Sequence, residues 1–213
     1  MFLMQRLPFD AVLLAGGRAS RLGGADKTAF TVGGRTLLDL ALEAAQDARA
    51  TAVVGLRPGT APPPHAILTR ESPPWSGPVA ALGAGLRSLG ATSSPRTLVL
   101  ACDLPSAPGA VRALLRGAAL ADDSPEGFGC VAVDEEGRRQ PLLALYRTAP
   151  LAARLAELAG GDGSGLVGLS FRRLLDGADL VEVPLAVGLA ADVDTADDAR
   201  RLGVSGGAGA TAG

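Results

Sequence analysis

The densest concentration of chemically capable residues is one stretch near the start of the chain. It runs Val12-Leu13-Leu14-Ala15-Gly16-Gly17-Arg18-Ala19-Ser20-Arg21-Leu22-Gly23-Gly24-Ala25-Asp26-Lys27. Glycine lets backbone approach a ligand closely because no Cβ intervenes. Successive N–H groups in such a loop form an anion-binding concavity, to which arginine and lysine add full charge. A strand feeding a glycine-rich basic loop therefore reads as a polyphosphate cradle. It is not a Walker loop, which needs glycine directly before the lysine where Asp26 stands. Nor does Gly16-Gly17-Arg18-Ala19-Ser20 supply the G-x-G-x-x-G of a dinucleotide fingerprint.

A second candidate is Asp103, which follows the apolar run Leu98-Val99-Leu100-Ala101-Cys102 and precedes Leu104-Pro105. A carboxylate at the end of a buried strand is poorly placed for packing. It is well placed to hold Mg²⁺, a hard cation that takes carboxylate oxygen and bridges phosphates. By position alone it could equally cap a turn before Pro105. Near the end of the chain, Asp192-Val193-Asp194-Thr195-Ala196-Asp197-Asp198 offers further carboxylates. Thr195 with Asp198 three residues on has the form of a capping box.

These groups need a scaffold, and the chain supplies a pattern for one. It has 213 residues, of which 47% are hydrophobic, 20% charged and only 3% aromatic, with a net charge of −2. That is a globular composition with a Leu-, Val- and Ala-built core, and it argues against a general nucleic-acid binder. Cys102 and Cys130 suggest neither a disulfide framework nor a zinc site. No apolar run suits a membrane span, and Met1 to Pro8 lacks the apolar core of a secretory signal. Neither nucleic acid nor a membrane is expected as a partner, and the cytoplasm is the expected location.

Strand-like runs are expected over 10–15, 50–55, 66–69, 97–102, 128–133, 140–146 and 180–183. Helical patterns are expected over 36–48, 78–89, 109–121, 151–158, 166–175 and 195–202. Thr36 could cap the first helix and Pro78 suits the first turn of the second. Alternation of this kind predicts an α/β fold of three layers, α/β/α, with a mostly parallel twisted sheet. The run at 97–102 should be its centre. Residues 1–203 read as one domain and 204–213, rich in Gly and Ala, as a disordered tail. Ligands of such sheets bind beyond the carboxyl ends of the strands, where the basic loop and Asp103 would meet.

The Leu14–Lys27 stretch resembles the signature L-A-G-G-x-S-x-R-[ML]-G-x-D-K of the MobA-like nucleotidyltransferases, with one extra residue before Asp26. Asp103-Leu104-Pro105 resembles the family's D-x-P element. Asp192-Val193-Asp194-Thr195 resembles its N-[IV]-[ND]-T element, with aspartates where the molybdenum cofactor guanylyltransferases more often carry asparagine. Ser76-Gly77-Pro78-Val79-Ala80-Ala81 resembles the turn that lies against base and ribose, and Gln140-Pro141-Leu142 an acceptor-side element, with Gln140 in place of histidine. Glu71 aligns with an acidic residue that contacts guanine, where aspartate is usual. A carboxylate there could accept from both N1–H and N2–H of the base. Gly55 stands where asparagine is frequent. His65 reads as a surface residue.

The resemblance implies a Rossmann-like nucleotidyltransferase (GT-A-like) fold and transfer of GMP from GTP to the phosphate of molybdenum-loaded molybdopterin. It places Leu14, Ala15, Gly16, Gly17, Arg18, Lys27, Gly55, Glu71, Gly77 and Asp103 at the nucleotide. Arg18 and Arg21 would serve the β/γ end and Lys27 the α-phosphate, with Lys27, Arg21 and Asp103 as the catalytic set. Asp103 and Asp194 would hold Mg²⁺, with Asp192 the other candidate for the second carboxylate. Contact with molybdoenzymes or other cofactor-biosynthesis proteins is also implied. The D-V-D-T variant and Gly55 keep open another nucleotide or acceptor on the same fold: cytidylyl transfer to molybdopterin, a sugar phosphate or phospholactate. A non-catalytic nucleotide-binding module is the alternative from another class, and Lys27 together with Asp103 argues against it.

Overall fold

The computed structural model describes residues 7–16, 27–90, 94–121, 127–161 and 164–206. Its centre is a seven-stranded sheet. The strands are β1 (Phe9–Leu14), β4 (Thr51–Val54), β5 (Ala66–Thr69), β6 (Arg96–Ala101), β7 (Gly129–Val133), β8 (Arg139–Arg147) and β9 (Leu180–Pro184), in the spatial order β5-β4-β1-β6-β8-β7-β9. All neighbouring pairs are parallel except those of β8, which runs antiparallel to both β6 and β7. The mostly parallel sheet is thus as expected, with β6 at its centre. A separate hairpin joins β2 (Thr31–Val32) to β3 (Arg35–Thr36). Its turn is Gly33-Gly34, both at positive φ (57° and 80°), the requirement of a two-residue hairpin turn. The strand reading above did not include it.

Alternation along the strands builds two cores. In β1, Ala11 and Leu13 face a layer formed by α1 (Leu37–Ala44) and α3 (Ala107–Leu120). Val12 and Leu14 face α2 (Pro78–Leu89), α4 (Thr148–Ala159) and α5 (Phe171–Leu174). With period two, each strand residue is committed to one layer. The small residues of α2 have a packing purpose: a Cβ on Gly85 would lie 2.5 Å from Val12 Cγ1, so glycine lets the helix sit down on the sheet. Gly117 of α3 does the same against Val183, at 2.3 Å.

Three expectations change. The helix expected over 166–175 is two short pieces, a 3-10 turn at Ser164–Leu166 and α5. Gly168 between them has φ +70°, and Ser170 accepts from the N–H of Arg173 as the cap of α5. The first helix ends at Ala44 rather than 48, although Thr36 caps it, reciprocated by Asp39. Val204 and Ser205, which composition assigned to the tail, are held to the fold. Val204 is buried with Phe30, Leu37, Leu40 and Val193, and Ser205 exchanges backbone hydrogen bonds with Thr31. Apolar burial by a single valine fixes those residues within a Gly/Ala-rich segment. The last helix, α6 (Ala196–Arg201), carries the Thr195–Asp198 capping box at its start.

Candidate nucleotide and metal site

The parallel strands β1, β4, β5 and β6 end along one edge of the sheet, and the residues that follow them gather there. After β1 the backbone is held to β4 by Ala15 N–H donating to the Val54 carbonyl at 2.9 Å. Gly16 then passes so close to Gly55 that a Cβ on Gly55 would stand 2.9 Å from Gly16 Cα, and Gly55 itself has φ +79°. Both facts require glycine at 55 and explain why no side chain reaches out from the end of β4.

A cleft of about 330 Å³ opens at this edge, lined by Leu14, Gly16, Glu71, Trp75, Gly77, Pro78, Ala81, Ala101, Asp103 and Leu142. That volume lies at the lower end of small-molecule sites, which run from about 300 to 1,000 Å³. Of the residues expected at a nucleotide, Leu14, Gly16, Glu71, Gly77 and Asp103 share this cleft. Ala15 and Gly55 are not in its lining, although Gly55 packs against Gly16, which is. Gly17, Arg18 and Arg21 lie outside the described residues, as does the side chain of Lys27, whose backbone opens the 3-10 turn Lys27–Ala29. The cleft also includes Ala101 and Trp75, which sequence reasoning did not single out. The signal for Trp75 was available: it is the chain's sole tryptophan, set between Glu71 and the Gly77-Pro78 turn.

Glu71 is buried, and its two oxygens differ. Oε1 accepts the backbone N–H of Trp75 at 2.9 Å. Oε2 is the only buried side-chain polar atom among the described residues that lacks a hydrogen-bond partner. An orphaned buried acceptor costs about 1–3 kcal/mol, and at a cleft wall a ligand donor can recover it. One oxygen is thus already engaged, so a base edge would meet Oε2 rather than a carboxylate with both oxygens open.

Across the cleft, Asp103, Asp192 and Asp194 each offer a carboxylate oxygen, and these lie within 4.8 Å of one another. The backbone brings them together. Val193 N–H donates to the Asp103 carbonyl at 3.1 Å, and the Val193 side chain is fully buried in the third apolar cluster. With Val193 anchored in that cluster, its neighbours Asp192 and Asp194 present their carboxylates beside Asp103. Three oxygen-only donors suit a hard divalent cation. Both Asp192 and Asp194 belong to the cluster, where the sequence had favoured one. Next to it, burial and then the Asp103 charge push the Cys102 thiol far above its usual range. Cys102 therefore stays protonated and apolar, a packing residue and not a nucleophile.

Gln140 donates to Asp134 Oδ2 at 2.8 Å, while Leu142, two residues on, reaches the cleft. Between them Pro141 sits where the β7–β8 register shifts, a place in a strand where a residue without N–H is tolerated. Tyr146 fixes that irregularity by donating its hydroxyl to the Pro141 carbonyl at 2.8 Å. Exposed His65 lies away from the cleft lining.

Residues 11–178 match the family model described as the MobA-like NTP transferase domain. The chain belongs to that nucleotidyltransferase family. A molybdenum cofactor guanylyltransferase from Sinorhizobium fredii is 34% identical over 148 residues, which is 67% of this chain and 63% of that relative. Thus the match spans slightly less than two thirds of the relative's length. Among solved structures, the molybdopterin-guanine dinucleotide biosynthesis protein A of Archaeoglobus fulgidus shares the fold, with TM-score 0.62, 20% identity and coverage of 91% of this chain and 96% of that one. The 2-C-methyl-D-erythritol 4-phosphate cytidylyltransferase of Thermus thermophilus does so with TM-score 0.58 and 23% identity, covering 92% and 97%. Among the described residues, no helix is long and apolar enough to cross a membrane.

Proposed function

We propose that the chain transfers GMP from GTP to the phosphate of molybdenum-loaded molybdopterin, releasing pyrophosphate, with Mg²⁺ as cofactor. The observation that carries this reading is the pairing, in one cleft, of an unpartnered Glu71 Oε2 with the Asp103 carboxylate cluster. Guanine presents N1–H and N2–H donors, which Oε2 can accept. Adenine presents one N6–H donor beside an N1 acceptor, and that acceptor repels a carboxylate.

In the reaction, an oxygen of the acceptor phosphate attacks the α-phosphorus of GTP and the α–β bridging P–O bond breaks, so that pyrophosphate leaves. Little covalent chemistry is asked of the protein beyond positioning and charge neutralisation. Gly16 and its neighbouring amides would cradle phosphate oxygens, Arg18 and Arg21 would hold the β/γ end, and Lys27 would stabilise charge building at the α-phosphate. Asp103, Asp192 and Asp194 fit Mg²⁺, which when bound neutralises charge shared by triphosphate and acceptor. The Gly77-Pro78 turn and Ala81 supply close, small-residue contact for the nucleoside.

Pyrophosphate release with each nucleoside triphosphate, Mg²⁺ and molybdate-loaded molybdopterin tests this. Release with GTP that depends on the pterin supports it; silence with every nucleotide would overturn it. One observation favours a second reading. Gly55 presents no side chain where the guanylyltransferases often carry asparagine, and release with CTP in place of GTP would move the assignment to cytidylyl transfer.

A further inference from the structure

We infer that Trp75 is a nucleobase-stacking wall of the cleft, positioned by the same glutamate that meets the base edge. The chain is poor in aromatics, with one Trp, one Tyr and five Phe. Tyr146, Phe9, Phe30 and Phe171 are buried, and Phe128 packs edge-on against Tyr146. Among the described aromatic residues only Trp75 is exposed, at 47%, and it lines the cleft. At a pocket wall, a partly exposed aromatic ring can offer its surface to a planar ligand.

The loop that carries it is fixed. Trp75 has φ +67°, a left-handed conformation that costs an L residue energy and persists where surrounding contacts enforce it. Glu71 Oε1 supplies one such contact by accepting the Trp75 N–H, and the Ser76 carbonyl accepts the Gly168 N–H at 2.8 Å on the other side. Gly77, at φ +96°, then turns the chain into α2. The backbone that carries the indole is thereby tied to Glu71, and both residues line the one cleft. A planar base with N–H donors on its edge fits both groups at once: its face on the indole, its edge on the carboxylate. A ring face serves any base, so Trp75 supplies affinity and Glu71 supplies discrimination.

This inference rests on the nucleotide reading above, and the test separates the two. Since Trp75 is the only tryptophan, its emission reports the site directly. GTP should change that emission, whereas inorganic tripolyphosphate, which offers phosphates without a base, should bind and leave it unchanged. By calorimetry, Trp75→Ala should weaken GTP about tenfold and leave tripolyphosphate affinity unaltered. Trp75→Phe, which keeps a ring, should recover most of the loss, and Trp75→Leu, which keeps apolar bulk without a ring, should not. Unaltered GTP affinity in Trp75→Ala, or an equal emission change with tripolyphosphate, overturns the stacking role and leaves the reaction standing. Failure of the wild-type chain to bind any nucleoside triphosphate overturns the reaction and this role with it.

Discussion

Two buried carboxylates stand at opposite ends of the sheet and are treated in opposite ways. Asp10, near the start of β1, is 3% exposed, and both its oxygens accept hydrogen bonds from Ser94, one from the backbone N–H at 2.6 Å and one from the hydroxyl at 3.1 Å. Glu71, just after β5, is 9% exposed and keeps one oxygen without a partner. The first is a closed structural joint tying β1 to the segment that enters β6. The second keeps an unmet acceptor on the side where strands end and cleft begins. Stability is spent at the carboxyl edge of this sheet and recovered elsewhere, the general condition of a binding site in an α/β protein.

Substitutions at the two ends should separate cleanly. The largest effect is expected at the carboxyl edge: Asp103→Ala should lower turnover by about three orders of magnitude, roughly 4 kcal/mol of barrier, with its melting temperature close to wild type. Near-normal turnover by that variant would remove the carboxylate cluster from the chemistry. At the other end, Asp10→Ala should cost about 3 kcal/mol in denaturant unfolding, because it strands the buried Ser94 donors. It should leave the ratio of GTP to ATP use unchanged, and an altered ratio would break the comparison. Glu71→Gln keeps an acceptor for Trp75 but turns a donor toward the base. We expect guanine-over-adenine preference to fall about 10- to 100-fold, with stability unchanged or slightly raised.

The smallest effect concerns the segment that holds Asp194. Thr195→Ala should cost about 1 kcal/mol by removing the α6 cap. The Thr195 hydroxyl bond, with a smaller contribution from Arg201, holds the Asp198 carboxyl below its usual range against some loss of hydration. A carboxyl lowered in the folded state stabilises fully above its ordinary value and loses that contribution as pH falls through the lowered one. Acid titration of stability should therefore show a carboxylate contribution in wild type that is smaller in Thr195→Ala; identical acid profiles would remove the hydroxyl's electrostatic role.

The positions of these groups were legible to different degrees, for physical reasons. Local signals sufficed for β5 and α2, which the structure places at Ala66–Thr69 and Pro78–Leu89, because an apolar run and a helix-starting proline act within a few residues. They sufficed for the Thr195 cap as well. Gly168 and Ser170 were also local, but apolar periodicity across 166–175 outweighed them, and the helix there is interrupted. The place of Asp103 at the carboxyl edge followed from the rule about strand ends, whereas its meeting with the Asp192–Asp194 segment was implied by the family resemblance. The participation of both aspartates followed from neither, since it depends on Val193 being buried under residues from the β2–α1 region. Least legible was the asymmetry of Glu71. Which oxygen is engaged depends on a loop closing back on itself around Trp75, and no spacing in the sequence encodes that.

The most direct test of the account is a crystal structure with GTP and Mg²⁺ bound. The account predicts the guanine edge at Glu71 Oε2 and the metal among Asp103, Asp192 and Asp194, with the triphosphate running between them over Gly16. A base seated away from Glu71, or a metal held without Asp103, would contradict it.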